Sequence, residues 1–100
     1  MLKPEAHVNI KFYETTNGGR KHPTLFGDYF GFIFRINDKN FDCRLLFDEP
    51  CSIFPGESRD NVPVKFLWYD GAKKELQVNK KFYLWDGRNI GEGIIIDFIE

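Results

Sequence analysis

Val8, Ile10 and Phe12 are separated by the more polar Asn9, Lys11 and Tyr13, a period of two that predicts a half-buried β-strand near the start of the chain. A polar stretch from Thr15 to His22, holding the Gly18 and Gly19 pair and closed by Pro23, sustains neither ladder nor helix and reads as a long loop. Phe30, Phe32, Phe34 and Ile36 then share one face. Asn37, Asp38, Lys39 and Asn40 supply turn chemistry before Phe41 to Phe47, so the two runs read as a hairpin. Asp48, Glu49 and Pro50 end that strand, and Pro55 with Gly56 marks a tight turn. Val62, Val64, Phe66 and Trp68 alternate with Pro63, Lys65, Leu67 and Tyr69, with Pro63 placing the strand's start at an edge or bulge. Asp70 and Gly71 signal a hairpin connection lengthened by Ala72, Lys73 and Lys74, and Leu76 and Val78 suggest a short extended piece. Phe82 and Leu84 alternate with Tyr83 and Trp85, and Asp86, Gly87, Arg88 and Asn89 turn the chain into a last strand from about Gly93 to Ile99.

Six strands at short intervals, with no helical periodicity between them, predict an all-β fold. Closure is the better way to remove exposed sheet edges, so the expectation is a six-stranded antiparallel closed β-barrel. One domain spans 1–100, with the barrel at about 7–99. Composition agrees: eleven Phe stand against two alanines, Ala6 and Ala72, which favours pleated strands over helix. The alternation predicts an interior of Val8, Ile10, Phe12, Phe32, Phe34, Val64, Phe66, Leu84 and Ile96. The opposite parity leaves Ile33, Leu67, Tyr69, Tyr83, Trp85, Ile95 and Ile99 facing out, an apolar exterior that points to a docking surface.

Charge and motifs narrow the chemistry. Fourteen basic and fifteen acidic residues give a net charge of -1, so no global field draws the chain to a polyanion, and any such site is a local patch. The basic residues available for one are Arg20, Lys21 and His22 in the first loop, Lys73 and Lys74, Lys80 and Lys81, and Arg88. Gly18-Gly19-Arg20-Lys21 lacks the Ser or Thr and the following helix of a phosphate-cradling loop, and Gly91-Glu92-Gly93 is a fragment of a dinucleotide fingerprint that enters a strand. His7, His22, Cys43 and Cys51 lack the close spacing that gathers metal ligands, and Ser52 and Ser58 lack a nucleophile-elbow sequence. Cys43 alternates with Phe41, Leu45 and Phe47 and reads as a buried, inert thiol. No catalytic, cofactor-binding or metal residues are expected, and no nucleotide binding. The longest aliphatic run, Ile94 to Ile96, is far short of the ~20 residues of a membrane helix, and Met1 to Glu5 has no apolar signal-peptide core, so the expectation is a cytoplasmic protein without membrane contact.

Several separated segments stand in a familiar order: Gly18-Gly19-Arg20-Lys21-His22-Pro23, Phe32-Ile33-Phe34-Arg35, Pro55-Gly56, Asp60-Asn61-Val62, and Phe82 followed by Gly87-Arg88-Asn89-Ile90-Gly91-Glu92-Gly93. In this order and spacing the chain resembles the C-terminal barrel, domain 3, of elongation factor Tu, from about His7 to Ile99, as a stand-alone domain. The resemblance implies a six-stranded antiparallel barrel that does no chemistry, contacts other proteins and touches the backbone of the tRNA T-stem. It places Arg88 and Gly91 in the closing motif near that backbone and the Gly18 to Pro23 loop among protein contacts. The chain departs from the family at Gly27-Asp28-Tyr29-Phe30, where an arginine is missing, and in the insertion of Glu57, Ser58 and Arg59.

The leading expectation is a non-catalytic protein-binding module linked to translation. Leu67, Tyr69, Tyr83, Trp85 and Ile95 are the candidate contacts for a protein partner or a second copy. The alternative is an RNA-backbone binder using Arg20, Lys21, His22, Lys80, Lys81, Arg88 and Gly91.

Overall fold

The structure, a computed structural model, describes residues 3–26 and 31–99. Among the described residues eight strands form: β1 (Ala6–Phe12), β2 (Thr24–Phe26), β3 (Gly31–Ile36), β4 (Lys39–Leu45), β5 (Cys51–Ile53), β6 (Ser58–Phe66), β7 (Lys81–Trp85) and β8 (Asn89–Phe98). Six of them close into an antiparallel barrel in the order β1-β6-β4-β3-β7-β8, with β8 returning to β1. The barrel is therefore the one expected from the alternation. The other two strands, β2 and β5, pair as a separate ribbon that the sequence pattern did not reveal, because each is only three residues long. The expected inward Phe30 and the segment 27–30 lie outside the described residues.

Local chemistry explains the joints. Asn37 and Asp38 both adopt positive φ, 52° and 63°, the conformation of a two-residue hairpin turn whose twist matches the flanking strands. Gly87, at φ 72°, turns β7 into β8. The Asp70-Gly71 segment, expected as a hairpin connection, is instead a short helix, α1 (Tyr69–Lys73). Asp70 sits in its first turn and Lys73 in its last, both favourable to the helix dipole. Gly71 permits this turn, because a β-carbon there would collide with the Trp68 ring. Leu76 and Val78 follow in irregular chain, not in a strand.

The barrel is filled by aromatic rings. Phe34 and Phe82 stack with centroids 4.3 Å apart, Phe66 meets Phe34 edge-on at 6.1 Å, and Phe12 meets Phe32 edge-on at 6.1 Å. Burying such a side chain contributes about 1.5–3 kcal/mol, and the ring pairing adds to it. Val8, Ile10, Phe12, Phe32, Phe34, Val64, Phe66 and Leu84 are all buried as expected.

One inward assignment is corrected. Ile96 is only half-buried, whereas Ile95, assigned to the outside, is fully buried. The reason is a bulge. His7 pairs with Asp97 and Val8 with Ile95, so β8 spends an extra residue at Ile96 against one step of β1. Upstream, the inward positions are Gly91 and Gly93, which carry no side chain to mark the parity.

Cys43 points into this core, and burial pushes its thiol well above the ordinary range, with Asp42 adding to the shift. Cys51 is partly buried at the ribbon. In a thiol-labelling time course Cys51 is expected to react first. Cys43 should react only on the timescale of unfolding, because the thiolate is the reactive form. Equal rates for the two would show that the Phe32 to Phe66 interior is open to solvent.

Candidate functional site

The outward face of β7 is less available than its parity suggests. The Arg35 guanidinium lies 4.8 Å from the Trp85 ring centroid, held by a 2.9 Å hydrogen bond to the Asn40 side-chain oxygen. The Lys81 ammonium lies 5.2 Å from the Tyr83 ring and 3.3 Å from the Glu92 carboxylate. Tyr83 and Trp85 are thus half-buried, each with one cation of the same chain over its ring. Ile95 drops out of the surface altogether, as described above.

The two most exposed large apolar side chains among the described residues lie elsewhere, where β6 ends and α1 begins, while Phe54, Val78 and Ile94 are exposed singly. Leu67 is 78% exposed and Trp68 67% exposed. Ile99, 56% exposed, belongs to the same region: its amide donates to the Glu5 carbonyl at 2.8 Å, and its carbonyl accepts the Tyr69 hydroxyl. Glu5 pins the base of this region, accepting the Phe66 amide at 2.8 Å and pairing with Lys65 at 3.3 Å. Tyr69 itself is half-buried, tilted against Phe66 with centroids 6.2 Å apart. Trp68, expected inside by its alternation with Phe66, is outside because the strand stops at Phe66 and the chain turns into α1.

Beside this projection lies a groove of about 340 Å³, lined by Gly31, Asp42, Arg44, Lys65, Phe66 and Leu67 among others. The Leu67 amide donates to the Asp42 carbonyl at 2.9 Å, fixing the projection against the groove wall. The patch therefore combines two large exposed apolar side chains, an adjacent recess and a rim carrying both signs of charge. These are the ingredients of a protein contact: an apolar centre with a polar rim.

The candidate basic residues divide between the two ends of β7. Arg20, Lys21 and His22 meet Arg88 across a cleft that Pro23 and Asp86 also line. Here the loop and the β7–β8 turn are tied together: Arg20 pairs with Asp86 and donates to the Thr24 hydroxyl at 3.1 Å, and Arg88 donates to the Gly19 carbonyl at 3.1 Å. Lys21 and His22 project outward, while Arg20 and Arg88 brace the loop. Lys80 and Lys81 stand at the opposite end of β7, about 14 Å away along the strand, next to the connection carrying Lys73 and Lys74. Hydrogen bonding to Glu92 raises the Lys81 pKa and commits it locally. Gly91, expected to lie near a partner's backbone, is buried. A β-carbon there would meet the Lys11 carbonyl oxygen at 2.5 Å and Leu84 Cδ1 at 2.7 Å, so its role is close packing of β8 on β1 and β7.

Of the expected set, the fold thus joins Arg20, Lys21, His22 and Arg88 at one end and leaves Leu67 open at the β6–α1 junction. Trp68 was missed as a surface residue. The signal for it was present in Ala72, Lys73 and Lys74, which favour a helical turn over a strand continuing past Phe66. His7 pairs with Asp97 at 2.8 Å on the barrel exterior, far along the chain from His22 and both cysteines. Among the described residues no group of three or more His, Cys, Asp or Glu comes together, and no helix is long and apolar enough to cross a membrane. No protein-family model and no curated protein matches the chain.

Proposed function

We propose that this barrel is a non-catalytic protein-binding module, similar in kind to the C-terminal barrel of elongation factor Tu, that serves translation by docking a protein on Leu67, Trp68 and Ile99. The observation that carries this reading is the consecutive pair Leu67 and Trp68, both mostly exposed at the strand-to-helix junction. Leaving an indole and an isobutyl group in water is unfavourable. Tryptophan is enriched among the residues that dominate binding energy, and a site held by Glu5 and α1 loses little entropy on docking. The double substitution L67S/W68S is expected to leave the melting temperature within a few degrees of wild type, since neither side chain fills the core. It should remove the protein recovered with a tagged copy. Recovery unchanged by the double substitution would refute the reading.

A second reading, recognition of an RNA backbone, draws support from the convergence of Arg20, Lys21, His22 and Arg88. Asp86 sits among them, and two of the four are engaged with the chain's own groups, which leaves little positive potential for phosphates. Reversing Lys21 and His22 to Glu is therefore expected to leave partner recovery within about twofold. If the captured material is RNA, its affinity falls with salt at a logarithmic slope of about -0.9 per phosphate contact, and the charge reversals flatten that slope.

A further inference from the structure

We propose that Trp68 and the groove beside it are the two halves of a self-complementary contact, through which two copies of this chain associate about a two-fold axis. The proposal rests on the reading of the Leu67 and Trp68 surface as protein-binding and names the partner as a second copy. In a two-fold contact the same patch serves both subunits, so it must present both a projection and a recess for that projection. Here the two are neighbours: Leu67 lines the groove, and Trp68 is the next residue. At about 340 Å³ the recess is at the small end for a ligand site and has room for an indole ring.

The electrostatics of the patch favour a like partner. Asp42 and Arg44 of β4 and Lys65 of β6 all line the groove, so a two-fold axis brings the acid of one copy toward the bases of the other, Lys65 being already paired with Glu5 of its own chain. The net charge of -1 adds almost no repulsion between copies. A stable interface takes roughly 600–800 Å² from each partner. That is about a tenth of this chain's 6252 Å² surface, which Leu67, Trp68, Ile99 and the groove rim can supply together.

Gly31 gives an independent handle on the groove. A β-carbon at this exposed position would approach only the Cys43 carbonyl oxygen, at 3.9 Å, so Gly31→Leu fills the recess from a strand that tolerates it. Sedimentation equilibrium of the wild type over a range of concentrations should show reversible dimerisation. W68S, which removes the projection, and G31L, which fills the recess, should each weaken it at least tenfold with unchanged thermal unfolding. An equimolar mixture of W68S and G31L should then form a mixed dimer, because one intact Trp68 meets one open groove. That dimer should be weaker than the wild type's. A monomeric wild type, or a dimer indifferent to both substitutions, overturns the proposal. The reading of the surface as protein-binding falls separately, when L67S/W68S retains its captured protein.

Discussion

Phe34→Ala is expected to destabilise the barrel by about 3–5 kcal/mol, enough to lower the melting temperature by of order 20 °C in a domain this small. Phe34 is fully buried at the centre of the ring cluster, stacked on Phe82 and edge-on to Phe66. Its truncation removes the transfer energy of the ring and leaves a void that strands β3, β6 and β7, held in one closed barrel, cannot collapse to fill. Since domains of this size have about 5–15 kcal/mol in hand, the variant should be partly unfolded near physiological temperature. Chemical denaturation with a two-state fit gives the number directly, and a loss under about 1 kcal/mol would mean that the aromatic cluster is not the core.

Gly91→Ala is expected to have the next largest effect, a loss of about 3 kcal/mol. The added methyl would press on the Lys11 carbonyl and on Leu84 at once, and the carbonyl belongs to the β1–β8 ladder that closes the barrel. Backbone cannot rotate aside as a flexible side chain can, so relief requires separating strands. This prediction also distinguishes the two roles considered for the residue. A contact glycine for a nucleic-acid backbone would tolerate alanine in the free protein and lose only binding. A packing glycine loses stability whatever is bound, which parallel unfolding curves of G91A and wild type decide.

Much of the barrel was legible because strand periodicity and side-chain chemistry agreed: Phe32 and Phe34 against Ile33 and Arg35, Phe82 and Leu84 against Tyr83 and Trp85, and the Asn37-Asp38 turn between β3 and β4. The failures have a common physical origin. In β8 the inward positions are glycines, so Ile94, Ile95 and Ile96 offered a continuous apolar run without a phase, and the bulge at Ile96 shifted the face. At Trp68 the alternation continued past the residue where the strand stops, because a five-residue helix is too short to show a period of its own. The ribbon of β2 and β5 escaped notice for the same reason.

The candidate site was legible in outline and not in detail. Parity correctly put Leu67, Tyr83 and Trp85 outside, but parity cannot show that Arg35 and Lys81 cover two of them while Leu67 stays bare. Likewise, counting basic residues brought together Arg20, Lys80, Lys81 and Arg88 as one cluster, and only the topology separates them to opposite ends of β7. That separation, with Asp86 beside Arg20, is what tilts the balance from phosphate recognition to an apolar contact.

The central claim is that this chain meets its partner through the β6–α1 junction, and site-specific photo-crosslinking in living cells tests it most directly. A photoreactive aromatic residue in place of Trp68, and separately in place of Lys21, samples the two candidate surfaces without disturbing the core. Covalent adducts with protein from position 68, and none above background from position 21, are the predicted result. Adducts with RNA from position 21, with nothing captured at position 68, would contradict the account.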